Sequence, residues 1–469
     1  MSVTLQTRPA QAGLGRRNPA IGMWVVLVGQ LMLVLDATIV NVALPHIATD
    51  LHFGSASLSW VLNAYSLAFG GLLLLGGRLG DVLGRRRVFM TGLSLFTLAS
   101  FAGGLAHAPW ELVTSRALQG VGAALAAPSV LALIATNAPT EAARNRALAA
   151  FAVISSGGAA LGLLLGGTLT DLVSWRWTMF VNVPIGLAVL FLVPRLVNET
   201  ARRHGRFDFV GAGSATAAAV SIVWTVINAP EHGWGSARTV GGFALGAALL
   251  VVLAVTERRH PHPLLRPALL RSRQRIAGLV AMAAVYGGML ATFFLTVQLL
   301  SHQFAYSPLR SGVAFLPVPL GVFTMSRLAP RLVARIGPAP LIAAGAASVF
   351  IAMGLLLGVN SSTSYAAGVF PSLLLMGLGM GASFMPITVL ALSGVEPEHT
   401  GSASGLLQTM QQLGGAVGLA VVASVFAGRS AHGFDPALRA GYGAATVLAA
   451  LAVASGLTLL TRRSLAAPA

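Results

Sequence analysis

The sequence predicts an all-α integral membrane protein with fourteen transmembrane helices, arranged as two six-helix bundles plus two inserted helices. Three observations carry this prediction. Of the 469 residues, 55% are hydrophobic and 9% are charged, and the mean hydropathy is +0.79, whereas about 25% of the residues of a soluble domain are charged. Apolar runs long enough to cross a bilayer recur along the chain. Short sequence motifs of the first part of the chain also recur, in the same order, in its last part.

The apolar runs predict the number and position of the spans. A bilayer core of about 30 Å needs about 20 apolar residues in a helix, because only a helix satisfies the backbone of a single segment in lipid. We expect the first run to be retained, because it is long and lacks a clear signal-peptide cleavage site. Spans 1 to 14 lie near residues 22–44, 58–76, 88–106, 111–134, 148–170, 177–198, 209–229, 240–256, 276–300, 311–329, 339–358, 366–390, 402–427 and 438–460.

The arginines predict the orientation of these spans. With the N-terminus inside, twenty-four of the 30 basic residues fall in inner segments, five fall in outer segments, and Arg116 lies inside span 4. Because basic residues accumulate in cytoplasmic loops, we expect a multi-pass plasma-membrane protein with both termini in the cytoplasm. The net charge of +17 then follows from topology, and no nucleic-acid partner is expected.

Three landmarks occur in the same order in both parts of the chain. Residues 78–83 after span 2 match 327–332 after span 10, and residues 157–159 in span 5 match 414–416 in span 13. A glycine run followed by a proline recurs in spans 4 and 12. This order indicates a duplicated six-span unit, the usual plan of secondary transporters, whose substrate site lies where the halves meet. The predicted segments are a tail at 1–21, a first bundle at 22–206, an inserted helix pair at 207–257, a loop at 258–275, a second bundle at 276–461 and a tail at 462–469.

Four motifs carry a resemblance to a known family. Residues 77–86, Gly-Arg-Leu-Gly-Asp-Val-Leu-Gly-Arg-Arg, resemble the loop signature of the major facilitator superfamily. Residues 35–45, 116–120 and 175–184 resemble its fourteen-span drug:proton antiporter branch, which includes multidrug and antibiotic exporters. The resemblance implies the major facilitator fold and a monomeric exporter of small amphipathic or hydrophobic compounds by alternating access. Its partners would be the small-molecule substrate, protons and the lipid bilayer, with the proton gradient as energy source and no cofactor.

One position departs from the antiporter pattern and keeps alternatives open. Leu163 stands where the span 5 motif of the branch, Gly-Pro-x-x-Gly-Gly, has proline. A proton-coupled uptake symporter is therefore the first alternative, and a membrane enzyme or receptor without transport is the second. We expect no enzyme, because no cluster of catalytic polar residues is found. His260 and His262 lack a nearby third ligand, so no metal is expected, and a Walker A motif is impossible because every basic residue is arginine.

Asp36 in span 1 and Arg116 in span 4 are the candidate proton-coupling residues. A charge deep in a span costs several kcal/mol unless it is paired, protonated or hydrated, and Asp36 is the only carboxylate that we place deep within a span. Counted from Leu44 and Trp110, Asp36 lies about 12 Å deep and Arg116 about 9 Å deep. A pair that loosens when Asp36 is protonated would couple a proton to the conformational change. A permanent structural salt bridge is the alternative.

Further polar residues of the spans are candidates for the substrate cavity. In span 1, Gln30, Ala37 and Asn41 share one face, and Asp36 points about 100° away from it. Asp36 therefore lies either at the edge of the cavity, which we favour, or at a helix interface. Each of the other candidates, taken singly, is more often a hydrogen bond between helices than a ligand. The set is Gln30, Asn41, Asn63, Tyr65, Gln119, Tyr286, Gln298, Gln408 and Gln412.

Two glycine-containing motifs complete the candidate set. The resemblance assigns Asp81 to a contact with the positive N-terminal end of span 13, near Thr400 and Gly401, which would hold the inner gate shut. A solvated loop acid is the alternative. The gating-loop residues are Gly77, Arg78, Gly80, Asp81, Gly84, Arg85 and Arg86. In span 5, small residues spaced by four allow a neighbouring helix to approach closely; these antiporter-motif residues are Gly158, Gly162, Gly166 and Gly167.

Overall fold

The protein is helical in the part of the chain that the computed structural model describes. The described residues are 19–54, 57–138, 140–200, 209–259, 272–359, 363–392 and 400–460. Most of both predicted tails, most of the predicted loop at 258–275, and His260 and His262 lie outside them.

Sixteen α-helices lie in the described residues, and each of the fourteen predicted spans coincides with one helix or one broken helix. The breaks fall in spans 6, 10 and 12, and a π-helical turn, Tyr365–Val369, precedes the helix of span 12. The helices are α1 Pro19–Asp50, α2 Trp60–Leu83, α3 Arg85–Gly104, α4 Pro109–Asn137, α5 Glu141–Leu172, α6 Trp177–Phe180, α7 Asn182–Leu196, α8 Phe209–His232, α9 Ala237–Arg259, α10 Arg273–His302, α11 Pro308–Ala314, α12 Pro317–Ile336, α13 Pro338–Leu357, α14 Phe370–Leu392, α15 Thr400–Arg429 and α16 Phe434–Leu460.

Local sequence signals explain where several helices begin. The hydroxyls of Thr140 and Ser272 accept hydrogen bonds from backbone N–H groups three residues on, at the starts of α5 and α10, as N-cap residues do. The short turns between α2 and α3 and between α12 and α13 use Gly84 and Gly337, with φ of 104° and 83°. Only glycine adopts such angles readily, so the two halves reverse direction by the same means.

Ten of the described helical segments are long and apolar enough to cross a membrane, and an eleventh is added if the bent pair Ser57–Leu73 and Leu75–Leu83 is one span. The helices of spans 3 and 5 begin with arginine-containing turns, which shorten their apolar part. The chain is therefore a multi-pass membrane protein, and the count of fourteen spans stays a prediction.

The two halves repeat the same packing. In the first half α1 packs on α5 and α7, α4 packs on α2 and α3, and α3 packs on α7. In the second half α10 packs on α15 and α16, α14 packs on α12 and α13, and α13 packs on α16. The inserted helices α8 and α9 pack together, and α8 also contacts α2 and α15, one helix from each half.

The halves share a core at one end of the molecule. We call the end where α1 finishes the Asp50 end and the end where α3 starts the Arg85 end. Toward the Asp50 end, one buried cluster joins residues of both halves, including Leu44, Phe294 and Val422. Toward the Arg85 end, the buried apolar side chains of the described residues form three clusters, each belonging to one half. The described conformation is therefore closed between the halves at the Asp50 end.

Candidate functional site

Asp36 and Arg116 form a buried ion pair. Asp36 lies in the middle of α1 with 0% of its surface exposed, and Arg116 of α4 is 1% exposed. Arg116 Nη1 and Asp36 Oδ2 are 2.5 Å apart. The helix α1 continues past the predicted end of span 1 near Leu44 as far as Asp50, with Pro45 inside it. The two charged groups nevertheless meet, as the depth count from Leu44 predicted.

Two amide side chains complete the hydrogen bonding of the carboxylate, and a serine holds both amides. Gln119 Nε2 and Asn182 Nδ2 donate to Asp36 Oδ1 over 2.9 and 2.8 Å. The same two amides donate to Ser100 Oγ over 3.0 and 2.9 Å, and Ser100 donates its own proton to the carbonyl of Met179 over 2.8 Å. A buried ion pair is stable only when such bonds satisfy its remaining lone pairs, so α3, α4 and α7 together hold the charge on α1.

Arg116 connects this network to α2. Its Nη1 also donates to Gln119 Oε1 over 2.8 Å, and its Nε donates to the carbonyl of Val61 over 3.1 Å. The guanidinium lies 4.5 Å from the centre of the Tyr65 ring, a cation–π contact that contributes about 2 kcal/mol when it is desolvated. Arg116 therefore links the carboxylate of Asp36 with the helix that packs on α15 of the other half.

The structure places Asp36 at a helix interface, and our preference for the cavity edge is wrong for this conformation. The physical reason is that donors on α4 and α7 face this side of α1 and saturate the carboxylate. Gln119 and Tyr65, which we expected in the cavity, belong to the same buried interface. Whether Asp36 carries the coupled proton stays a prediction.

The other cavity candidates divide by exposure. Asn41 and Asn63 are buried; the amide of Asn41 donates to carbonyls of its own helix, and that of Asn63 has no hydrogen-bond partner among the described residues. Tyr286 of α10 faces Gln412 and Gly415 of α15. The candidates with exposed surface are Gln30, Tyr286, Gln298, Gln408 and Gln412. Their role in substrate binding stays a prediction.

The glycines of α5 form a ridge against α1. A Cβ at Gly158 or Gly162 would lie 2.8 Å from an atom of α1, which for Gly162 is the carbonyl oxygen of Leu35. A Cβ at Gly166 would overlap the carbonyl oxygen of Ile39. Gly162 and Gly166 need glycine because the two helix backbones are in direct contact there, whereas Gly158 packs against the side chains of Leu31 and Val34.

We expect Gly166→Ala to destabilise the protein. The added methyl meets a backbone carbonyl of α1, which cannot rotate away as a side chain can, and overpacking of this kind typically costs about 1–3 kcal/mol. The measurement is the thermal midpoint and the folded yield of the purified protein. Gly157→Ala is the matched control, because a Cβ there meets nothing within 4 Å. Equal midpoints for the two variants would contradict the close packing of α5 on α1.

The gating-loop residues lie at the Arg85 end. Asp81 pairs with Arg85, with 2.6 Å between Asp81 Oδ1 and Arg85 Nη2, and the arginine side chain packs over Gly80, where a Cβ would lie 2.7 Å from its Cδ. Arg78 and Gly77 are in the last turns of α2, and Gly84 ends that helix. Side-chain contacts at the first residues of α15, Thr400 and Gly401, are not described, so the contact of Asp81 with α15 stays a prediction.

Glu199 stabilises the start of α3, which the sequence analysis did not predict. Its carboxylate accepts hydrogen bonds from the backbone N–H groups of Arg86 and Arg87 over 2.9 and 3.1 Å. Gly84 leaves room for it, since a Cβ there would lie 2.6 Å from Glu199 Cδ. An anion at a helix N-terminus satisfies free donors and the helix dipole. The available signal was an acid at the start of an arginine-rich inner loop.

The motif at residues 175–184 has two structural roles that the sequence analysis left unassigned. Asn182 binds Asp36, as described above. Near the Asp50 end, Trp175 Nε1 and Arg176 Nη1 donate to Asp50 Oδ2 over 2.8 and 2.5 Å, and Arg176 Nη2 donates to the carbonyl of Ala106 over 3.1 Å. The motif thus fixes both the end of α1 and the carboxylate in its middle.

Comparison with known proteins identifies the family. The sequence profile of the Major Facilitator Superfamily matches residues 26–419, which include the buried ion pair and extend from the first half into α15 of the second. The chain belongs to the major facilitator superfamily. It is therefore a membrane transporter and not an enzyme, as predicted.

Relatives within the superfamily are named for antibiotic resistance and export. The puromycin resistance protein pur8 of Streptomyces alboniger is 40% identical over 451 residues, which are 94% of this chain and 89% of that protein. The cephamycin export protein CmcT of Amycolatopsis lactamdurans is 38% identical over 421 residues, 89% of this chain and 86% of that protein. The resemblance of this superfamily member to the exporter branch is thereby confirmed.

A solved structure shows the same fold. An auto-inhibited peptide transporter of the POT family superposes with a TM-score of 0.68, covering 96% of this chain and 98% of that chain at 14% identity. The major facilitator fold predicted from the sequence is confirmed.

Proposed function

We propose that this superfamily member exports small amphipathic or hydrophobic compounds, drugs or antibiotics among them, across the plasma membrane in exchange for inward-moving protons. The observation that carries the proposal is the carboxylate of Asp36, which lies in the middle of a span and pairs with Arg116. A buried charge of this kind is expensive and marks a functional site. Relatives named for puromycin resistance and cephamycin export support the substrate class.

The proposal includes fourteen spans in a monomer, with both termini in the cytoplasm. All fourteen predicted spans coincide with helices, and the arginine bias supports the orientation. The Arg85 end is then cytoplasmic and the Asp50 end faces outward. On this assignment the described conformation is closed to the outside, and a compound enters between the halves from the cytoplasm.

The ion pair offers a route by which proton binding changes the contact between the two halves. Asp36 holds Arg116, and Arg116 holds the carbonyl of Val61 on α2. The same helix meets α15 at Gly70, where a Cβ would lie 2.5 Å from Gln412 Cβ. A proton on Asp36 removes the charge that attracts Arg116 and so weakens the link between α1, α4 and α2, the helix at the seam between the halves.

The burial of Asp36 sets the order of events. Because none of its surface is exposed in the described conformation, a proton reaches it only after the helices rearrange. With the ion pair made, the carrier is ready for a compound. Once the carrier opens outward and releases the compound, an external proton binds Asp36. The protonated carrier then returns and delivers that proton to the cytoplasm.

Everted membrane vesicles test this function. Vesicles with an acidic interior should accumulate puromycin, chosen because a relative is named for resistance to it, and the interior should lose protons as the compound enters. Cells that express the protein should survive a higher puromycin concentration than cells with an empty vector. Accumulation driven by a gradient of the opposite direction would instead identify an uptake symporter.

Substrate charge gives a sharper form of the same experiment. Asp36 is the only carboxylate in the middle of a described span, and in the described conformation it is paired with Arg116. It can compensate the charge of a compound only in a conformation that breaks this pair, and a dication would then still keep one uncompensated charge in a low-dielectric site, at a cost of several kcal/mol. We expect matched neutral and singly charged compounds to be exported and the dication to be exported poorly. Equal affinity for the dication and the monocation would contradict a single compensating carboxylate.

Topology reporters test the orientation and the count of spans. Reporters fused after Arg206 and after Arg273 should both read cytoplasmic, because spans 7 and 8 form one hairpin between arginine clusters. A reporter after Gly233, between α8 and α9, should read external. An external reading at either of the first two positions would overturn the fourteen-span topology.

A further inference from the structure

An apolar groove faces the bilayer where α5 meets α11 and α12. Its volume is about 750 Å³. One wall contains Gly157 and Ala160 of α5, from the first half, and the other contains a stripe from Arg310 to Phe323, from the second half. Leu320 in this stripe is 58% exposed. In a membrane protein such an apolar surface faces lipid, so this groove, the α5–α12 groove, is open to the bilayer and lies on the seam between the halves.

The length of the groove matches one leaflet. Arg310 lies in the first turn of α11 at the Asp50 end, and Phe323 follows thirteen residues later. At a rise of 1.5 Å per residue this stripe is about 20 Å long, whereas half of a bilayer core is about 15 Å thick. The groove therefore extends from the level of the lipid headgroups to about the bilayer midplane.

A tight backbone contact separates the groove from the interior. A Cβ at Gly312 would lie 2.5 Å from the carbonyl oxygen of Leu163, and a Cβ at Gly167 would lie 2.5 Å from that of Pro308. The side chain of Leu163 is itself buried. In the described conformation α5 and α11 are therefore in direct backbone contact along the part of the seam nearest the Asp50 end.

A fixed cation lies at the headgroup level of the groove. The guanidinium of Arg310 lies 3.9 Å from the centre of the Tyr306 ring, and the ion pairs among the described residues do not include it. Tyr306 packs on Tyr365, whose hydroxyl donates to the carbonyl of Ala314 over 2.7 Å. The tyrosines hold the arginine at the mouth of an apolar groove, where its donors fit a phosphate.

We propose that the α5–α12 groove binds one anionic glycerophospholipid, with an acyl chain along the stripe and the phosphate on Arg310. An anionic headgroup is favoured over a zwitterionic one because no described carboxylate pairs with Arg310, and none lines the groove to receive an ammonium group. The walls come from both halves, so the lipid stabilises the conformation closed at the Asp50 end. Only the assignment to the outer leaflet rests on the proposed orientation.

Native mass spectrometry of the full-length protein tests this site. The probes are phosphatidylglycerol and phosphatidylcholine with identical acyl chains. We expect one phosphatidylglycerol to be retained at a concentration at which phosphatidylcholine dissociates, and we expect phosphatidylglycerol to raise the thermal midpoint. Arg310→Gln should weaken phosphatidylglycerol binding at least about tenfold, the effect of losing about 1.4 kcal/mol. Arg439→Gln, which removes an exposed arginine at the same end of the molecule outside the groove, is the matched control and should bind as the unaltered protein does.

Two further experiments test the contributions of the lipid acyl chain and of the lipid phosphate separately. Ala160→Phe fills the groove and should lower retention without changing the charge. Glycerol 3-phosphate, which has no chain, should not compete with the lipid. Equal retention of the two lipids, unchanged binding in Arg310→Gln, or competition by glycerol 3-phosphate would each overturn the proposal. None of these readouts uses transport, so a failed exporter assay leaves them informative, and reversed topology reporters would move the site only to the other leaflet.

Discussion

Asp36→Asn is expected to reduce proton-driven efflux to the level of vesicles without the protein. The amide keeps the size of the carboxyl group and still accepts hydrogen bonds from Gln119 and Asn182 through its oxygen, but it cannot take up a proton or carry the charge that pairs with Arg116. The measurement is puromycin accumulation in everted vesicles with an imposed pH gradient.

Compound exchange without a gradient separates coupling from folding. Labelled compound inside the vesicles is exchanged for unlabelled compound outside, a process that needs the carrier but no net proton movement. We expect Asp36→Asn to retain this exchange and Asp36→Glu, which keeps a titratable carboxyl, to recover part of the gradient-driven transport. Full resistance of Asp36→Asn cells, with protons still exchanged for compound, would show that Asp36 is not the coupling group.

Arg116→Ala is expected to destabilise the protein and abolish transport. It leaves the carboxylate of Asp36 buried without its cation, and breaking a buried pair in this way typically costs about 3–5 kcal/mol. It also removes the donor to the carbonyl of Val61 and the contact with Tyr65. Thermal denaturation of the purified protein and vesicle transport measure the two effects.

A double variant distinguishes a structural salt bridge from a coupling site. Asp36→Asn combined with Arg116→Gln removes both charges, so its thermal midpoint should lie above those of the single variants Arg116→Gln and Asp36→Asn. It should still lack proton-driven transport, because nothing in the network titrates. Recovery of proton-driven transport in this double variant would mean that the pair only holds the helices together.

Much of the fold was predictable because its signals are local. Runs of about 20 apolar residues mark the spans regardless of their neighbours, and all fourteen predicted ranges coincide with helices. The breaks in spans 6 and 10 were not predicted. A proline within an apolar run can lie inside a helix or start a new one, and the sequence does not show where the preceding helix ends. Pro317 follows such an end, after Ala314.

The candidate site was predictable only in part. A charge in an apolar run identified Asp36, and Arg116 was the only opposite charge deep within a span. Asn182, which lies 146 residues from Asp36 in the chain, was not identified, because a single amide in a span is commonly an ordinary contact between helices. Glu199 was not identified either. Its partners are backbone N–H groups, which every residue type except proline has, so no residue in the sequence marks them as its partners.

The amino-acid sequence is enough to identify this chain as a multi-pass membrane transporter and to show that its deepest charges are one carboxylate and one arginine. Hydropathy and motif spacing are sufficient for this identification, because whether a segment crosses the bilayer depends on the amino-acid composition of that one helix. The direction in which Asp36 faces is visible only in the packed helix bundle. A helix offers several sides to several neighbours. The side that Asp36 takes depends on the amide donors of Gln119 and Asn182, which lie on α4 and α7 and are held in place by Ser100 of α3, since its hydroxyl accepts a hydrogen bond from each. These groups meet at one point only after the whole bundle has packed.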